Sequence, residues 1–221
     1  MADGDLDYFY KHVYGPVFNG GAVGRVSNLV HRSMEAPYSH EHFFEKVLEL
    51  GAGQGQHRRF VRHGFSQYIE SDLRLEPLLQ SDHDPRVERQ VIDANVLTSV
   101  KESSVDRIIA TCLLTHLANP EAALREWREA LVPNGVLSLY LPADPGLVLR
   151  LAQKFTTARK TRKRGLDYWS IHYREHRYHF SFLELIVREV FGDANVWLRS
   201  WPLPAMSWNF SLWFTAELVK R

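Results

Sequence analysis

The segment Val47-Leu-Glu-Leu-Gly51-Ala-Gly53-Gln-Gly55 places three glycines at alternate positions directly after a short apolar run. Few backbones accept that pattern. Lys46 to Leu50 has the length and composition of a buried strand. Alternate glycines then allow dihedrals closed to other residues and leave N–H groups that a ligand can approach closely. The run therefore predicts a strand ending in a sharp, ligand-facing turn. In an open α/β sheet such turns lie at the carboxyl ends of the strands, where ligands bind. His57 to Arg62 reads as a helix after the turn, stopped by Gly64.

Further strands follow at 67–72, 88–92, 105–111 and 136–141, with helical patterns between several of them. Such alternation predicts a parallel sheet with crossover helices. One helix is marked by Asn119 as N-cap, Pro120 and Glu121, with Leu124, Trp127 and Leu131 on one face. A second, 181–191, opens with a Ser181/Glu184 capping-box pattern and stops at Gly192. The Trp-rich end, 195–201 and 207–217, reads as two strands joined through Pro202 and Pro204. Residues 1–45, interrupted by Gly15-Pro16, Asn19-Gly20-Gly21 and Ala36-Pro37, read as an N-terminal helical cap on a single domain.

The glycine spacing separates two cofactor classes. A dinucleotide site needs G-x-G-x-x-G to seat a pyrophosphate on a helix N-terminus. Here residue 56 is Gln and the third glycine comes one position early. The acidic-x-G-x-G-x-G pattern resembles motif I of class I S-adenosylmethionine methyltransferases. The resemblance extends through Asp106-Arg-Ile-Ile-Ala-Thr-Cys112-Leu-Leu-Thr-His116-Leu-Ala-Asn-Pro120-Glu121 to Leu131-Val-Pro133-Asn134-Gly135, over roughly residues 46–141. Asn134 stands where the family usually has Gly, and Asn tolerates the left-handed region. The resemblance implies a Rossmann-like, mostly parallel α/β sheet of seven strands, ordered 3-2-1-4-5-7-6, with helices on both faces. It implies S-adenosylmethionine as cofactor. Gly51, Ala52, Gly53 and Gly55 would approach it, with Glu49 organising the methionine end. A carboxylate after the second strand can accept two ribose hydroxyls, which assigns Asp72 with Leu73 beside it. Asp93 and Ala94, after the third strand, fall at the adenine, and Cys112 and Leu113 pack on the cofactor.

Residues 142–180 are far longer than a crossover needs and hold the remaining chemistry. In the family this region commonly covers the acceptor. It contains the basic run Arg159-Lys-Thr-Arg-Lys-Arg164 and then His172, Arg174, His176, Arg177 and His179. His116, His176 and His179 are the candidate catalytic residues. Arg174 and Arg177 could grip an anionic group. His172-x-x-x-His176 with His179 completes no recognisable set of metal ligands, because no nearby acid or cysteine joins it. No metal is expected.

The expected activity is methyl transfer to oxygen or nitrogen of a small polar acceptor, anionic or lipid-linked. A formal charge of +1 argues against a nucleic-acid substrate, although the basic run favours one. Leu147, Val148, Leu151 and Phe155 share a helical face beside Arg150 and Lys154, which points to peripheral contact with a membrane and a phospholipid or lipid-linked substrate. A non-methylating binding or cyclising descendant of the fold is the third alternative. No run of 18 apolar residues spans a membrane, the acidic start is unlike a signal peptide, and the one cysteine fits a reducing, cytoplasmic setting.

Overall fold

The computed structural model describes residues 6, 8–18, 20–74 and 84–221. The acidic first residues and Asn19 lie outside the described residues. Seven strands form one sheet: β1 (Phe43–Leu50), β2 (Gly64–Asp72), β3 (Val87–Val91), β4 (Val105–Thr111), β5 (Leu131–Pro142), β6 (Val196–Trp201) and β7 (Trp213–Val219). Their order is β3-β2-β1-β4-β5-β7-β6, as the resemblance implied. β1 to β5 are parallel, and β7 runs antiparallel to both β5 and β6. Among the described residues seven α-helices surround it: α1 (Tyr14–Phe18), α2 (Gly21–Glu35), α3 (Pro120–Ala130), α4 (Leu147–Phe155), α5 (Thr157–Arg162), α6 (Tyr168–Glu175) and α7 (Phe180–Phe191).

Alternation along the strands sends side chains to two different cores. On one face Leu48, Leu50, Ile69, Ile108 and Ala110 pack against Trp127 and Leu124 of α3 and Leu183 and Val187 of α7. α3 starts where the sequence indicated: Asn119 Oδ1 accepts from Ala122 N at 3.1 Å, and Pro120 takes the first helical position. Trp127 is fully buried, and its indole N–H donates to Ala94 O at 2.9 Å.

On the other face Val47, Tyr68, Ile109 and Trp213 pack on Val30 and Met34 of α2. This face is also unusually polar. Arg107 of β4 is fully buried and lies 2.7 Å from Glu35, 2.7 Å from His63 and 3.1 Å from Ser138 Oγ. His57 Nε2 meets Glu35 Oε1 at 2.9 Å, and the His57 and His31 Nδ1 atoms are 3.0 Å apart. Burial pushes the Glu35 carboxyl up, but His57 and Arg107 outweigh it and hold it at about 2. Burial, with a repulsive His57, lowers His31 to about 3, so that imidazole stays neutral.

Four expectations need correction. His57 to Arg62 is not a helix but a single 3-10 turn, Arg58–Phe60. α2, from before β1, already occupies that face, and His57 and Arg58 are committed to Glu35 and Glu70. The Ser181/Glu184 capping box does not form. α7 begins one residue earlier with His179 at its N-cap, and Glu184 pairs instead with Arg188 at 3.0 Å. The last strand begins at Trp213, not Ser207, because Ser211 Oγ turns back to Ser207 O at 3.0 Å. β1 begins at Phe43 rather than Lys46. Asn134 does adopt the left-handed backbone, with φ of 63°.

Candidate functional site

The glycine turn leaves β1 with Gly51 at φ 69° and Gly53 at φ 55°, values that glycine alone adopts at no steric cost. The turn is tied to β2. Ala52 N donates to Ser71 O at 2.8 Å, and Gly53 N donates to Asp72 Oδ2 at 3.1 Å. A Cβ built on Gly53 would meet nothing within 4 Å, so it would project into open space above the turn. A Cβ on Gly51 would approach Leu113 Cδ1 to 3.1 Å, so the end of β4 lies against the turn.

The acidic residues hold different positions. Glu49 is 2% exposed and accepts from the Tyr68 hydroxyl at 2.7 Å. Burial pushes its carboxyl up to about 7. It therefore supports the turn from beneath. Asp72, at the end of β2, also accepts from Arg74 N at 3.0 Å, and Leu73 beside it is exposed. Asp93, just past β3, is exposed and accepts from Asn95 N at 2.9 Å, and Ala94 is buried. Asn95, which the sequence did not single out, carries this edge to the next, since its Oδ1 accepts from Ala118 N at 2.9 Å.

Cys112 follows β4 in the left-handed region, at φ 57°. Non-glycine residues held there are strained and gather at functional sites. Three tyrosines meet near it. Tyr14 lies close enough to Cys112 and Asp72, and Tyr140 of β5 to Cys112, Tyr14 and Tyr168, for their charges to interact. Tyr14 is 42% exposed. Yet the surrounding protein raises its hydroxyl to about 12. Both hold for a side chain on the wall of a cleft. The N-terminal segment is thus part of the site, clamped by Tyr10 on the Glu175 carboxylate and by Arg74 5.1 Å over the Tyr10 ring.

Beyond β4 and β5 the structure gathers a cluster that sequence spacing showed only in part. His172 Nε2 lies 2.9 Å from Asp144 Oδ2, and the His172 and His176 rings are 4.2 Å apart. His116 is 5.0 Å from His176, ring to ring, and 3.5 Å from Glu175 Oε2. Burial and its histidine neighbours lower His176 well below the usual imidazole value, and its Nδ1 is buried without a hydrogen-bond partner. His116 goes the other way. Burial opposes its charge, but Cys112 and Glu175 raise it to about 9. Asp144 supplies the acid that the histidine spacing lacked. With His172 and His176 it places three donor atoms within 4.8 Å of one another, as do Cys112, His116 and His176, so either set could hold a cation. His179 does not join. It is exposed at the N-cap of α7, because α6 ends at Glu175 and the chain turns between the two helices. Arg174 and Arg177 are exposed on the outside of the same segment. The signal for Asp144 was an acid immediately past the fifth strand, in Pro142-Ala-Asp144-Pro145.

The methyltransferase domain family matches residues 48–139, from the core of β1 to that of β5, which includes the glycine turn, Asp72, Asp93 and Cys112 but not Asp144 or the histidines of 172–179. Residues 48–139 are thus a methyltransferase domain. Its cofactor is S-adenosylmethionine, and the open space above Gly53 and the free acceptor capacity of Asp72 fit that ligand. No curated sequence matches this chain. Its fold is similar to that of a Thermotoga maritima protein described as a possible histamine N-methyltransferase, with 16% identity and a TM-score of 0.64 over 98% of this chain and 99% of that one. It is also similar to an S-adenosylmethionine-dependent methyltransferase from Mesorhizobium loti, with 14% identity and a TM-score of 0.58 over 85% and 95% of the two chains. The CurJ carbon methyltransferase shares 16% identity at a TM-score of 0.57, over 88% of this chain and 55% of that one. Carbon and nitrogen acceptors both occur among these neighbours, so the shared fold does not name the accepting atom. Among the described residues no helix is long and apolar enough to cross a membrane.

Proposed function

We propose that the methyltransferase acts on a hydroxyl oxygen of a polar acceptor, small or lipid-linked. When bound, the cofactor supplies an electrophilic methyl group on a sulfonium. Gly51, Ala52, Gly53 and Gly55 would hold its methionine end with Glu49 beneath them. Asp72 with Leu73 would hold the ribose, and Asp93 with Ala94 the adenine. Cys112 and Leu113 would pack on its flank. The acceptor would lie in the cleft walled by Tyr14, Tyr140 and His116, away from bulk water.

One observation carries the choice of a hydroxyl: His176, packed at 4.2 Å ring to ring on the His172 that Asp144 holds, has an Nδ1 with no hydrogen-bond partner. A hydroxyl must lose a proton as it is methylated, and a positioned base contributes about 10²- to 10⁴-fold. An amine needs only to be held neutral. His176 is the base in this reading and Asp144–His172 orients it. His116, protonated at neutral pH beside Glu175, donates rather than accepts and suits an oxygen acceptor that gathers charge.

The test is formation of S-adenosylhomocysteine over a panel of hydroxyl and amine acceptors. His176→Ala should lower turnover on the hydroxyl acceptor by about 10²-fold or more. Calorimetry should show its affinity for S-adenosylhomocysteine unchanged. Turnover confined to amines, or unaffected by His176→Ala, would refute the reading.

A further inference from the structure

The near-zero net charge conceals a strong separation. Residues 145–166 carry seven cations and no acid, while the 20 remaining cations face 26 acids. α4 opens this segment, and none of its residues is buried. Leu147, Leu151 and Phe155 recur every fourth residue along it, which places them on one face. They are 55%, 45% and 69% exposed. Arg150 and Lys154 flank that stripe, and Arg159, Arg162, Lys163 and Arg164 continue the charge through α5 and its end.

The apolar stripe extends beyond the helix. Val148 N donates to Asn209 O at 3.1 Å, which holds the 202–212 loop against the start of α4. That loop exposes Leu203 and Phe210. The surface is also held rigidly to the body, since Lys160 Nζ donates to Val17 O at 3.3 Å and Gly20 O at 3.2 Å. At its inner edge Arg150 lies 5.0 Å over the Trp169 ring and 3.6 Å from Asp144, the partner of His172.

From this we infer that α4, α5 and the 202–212 loop form a docking face for an anionic lipid bilayer, with the acceptor cleft opening beside it. Exposed leucines and phenylalanines enter the boundary between headgroups and acyl chains, while flanking lysines and arginines meet anionic headgroups. A nucleic acid would use the cations and could stack a base on Phe155, but it offers nothing to Leu147, Leu151 and Leu203. A second copy of this chain would cover the stripe but would bring the same seven cations against it. The inference rests on the proposed reaction in one respect only: it makes the acceptor lipid-borne.

The experiment is co-sedimentation of the full chain with vesicles of pure phosphatidylcholine and with vesicles holding 30 mol % phosphatidylglycerol. The expected result is binding to the anionic vesicles alone, weakened as salt rises. The doubly substituted Leu151→Glu/Phe155→Glu chain should lose it. Changing Arg159, Arg162, Lys163 and Arg164 to Gln should reduce partitioning about 100-fold or more. Lys160 is left in place because it braces the N-terminal segment. Both variants should keep wild-type affinity for S-adenosylhomocysteine and wild-type turnover on a water-soluble hydroxyl acceptor. Those two readouts keep failure here separate from failure of the proposed chemistry. Equal binding to both vesicle types, no binding to either, or variants that bind as well as wild type would overturn the inference. So would tight RNA binding without vesicle binding, or a dimer in sedimentation that Leu151→Glu dissolves.

Discussion

Replacing Asp72 with Ala isolates the residue that joins the glycine turn to the expected ribose position. Its Oδ2 already accepts from Gly53 N at 3.1 Å and its Oδ1 from Arg74 N at 3.0 Å. A carboxylate offers about four lone-pair positions. Two therefore remain for a diol. A hydrogen bond to a charged group contributes about 1.5–3 kcal/mol. With about 1.4 kcal/mol per decade, loss of one such net contribution weakens binding about 10- to 150-fold. The assay is calorimetry with S-adenosylhomocysteine at fixed pH and salt, on wild type, Asp72→Ala and Asp72→Asn. Asn keeps one carbonyl oxygen for the Gly53 N–H but loses the charge and half of the acceptor capacity, so its affinity should fall between the other two. Thermal melts of the unliganded chains supply the control. If Asp72→Ala binds within twofold of wild type, the ribose assignment is wrong. If Asn and Ala lose affinity equally and both melt early, collapse of the turn rather than loss of ribose contacts is responsible.

Gly53→Val should lower the melting temperature, because a β-branched residue is strained at φ 55°, and should abolish cofactor binding by filling the open space above the turn; a folded variant that retains binding in calorimetry would move the cofactor elsewhere. Trp127→Ala should cost about 3–5 kcal/mol in urea unfolding, since it empties a fully buried site and orphans Ala94 O; a loss under 1 kcal/mol would deny it that packing role. Glu49→Gln should gain stability over wild type as pH rises. The folded carboxyl titrates at about 7 against an ordinary 4.5, so wild type loses stability between those values and is level above them, by up to about 1.4 kcal/mol per pH unit. Gln does not titrate. A difference between the two chains that stays constant from pH 4.5 to 8 in urea melts would show that burial does not raise this carboxyl.

What was legible in the sequence was local or periodic. The strand into Gly51, the N-cap at Asn119 and the acid at the end of β2 each sit within a few residues of the feature that explains them. α2 was obscured because its buried face carries His31 and Glu35, polar residues that read as surface until His57, 22 residues beyond Glu35, and Arg107 close around them. The sequence did not single out Asp144 because its partner His172 comes 28 residues later. His172, His176 and His179 form one group in the sequence, but the turn between α6 and α7 sends His179 outward. The half of that pattern that stays together is His172 and His176, met by Asp144 from just beyond β5.

The position of α2 has a consequence for how the chain is made. It leaves the ribosome before any strand exists, and translation proceeds at about 5–20 residues per second. Val30 and Met34 find Val47 soon afterwards, but Glu35 must wait for Arg107 of β4, and the last apolar partner, Trp213, lies in the final strand. Tyr38, just past α2, is likewise completed only when Glu217 arrives, its hydroxyl then donating to Oε2 at 2.5 Å. α2, made before any of the seven strands, is thus among the last elements to be enclosed. A nascent chain arrested before Trp213 leaves its own beginning without a floor, with two apolar residues and a carboxylate open to whatever chaperone or protease is nearest.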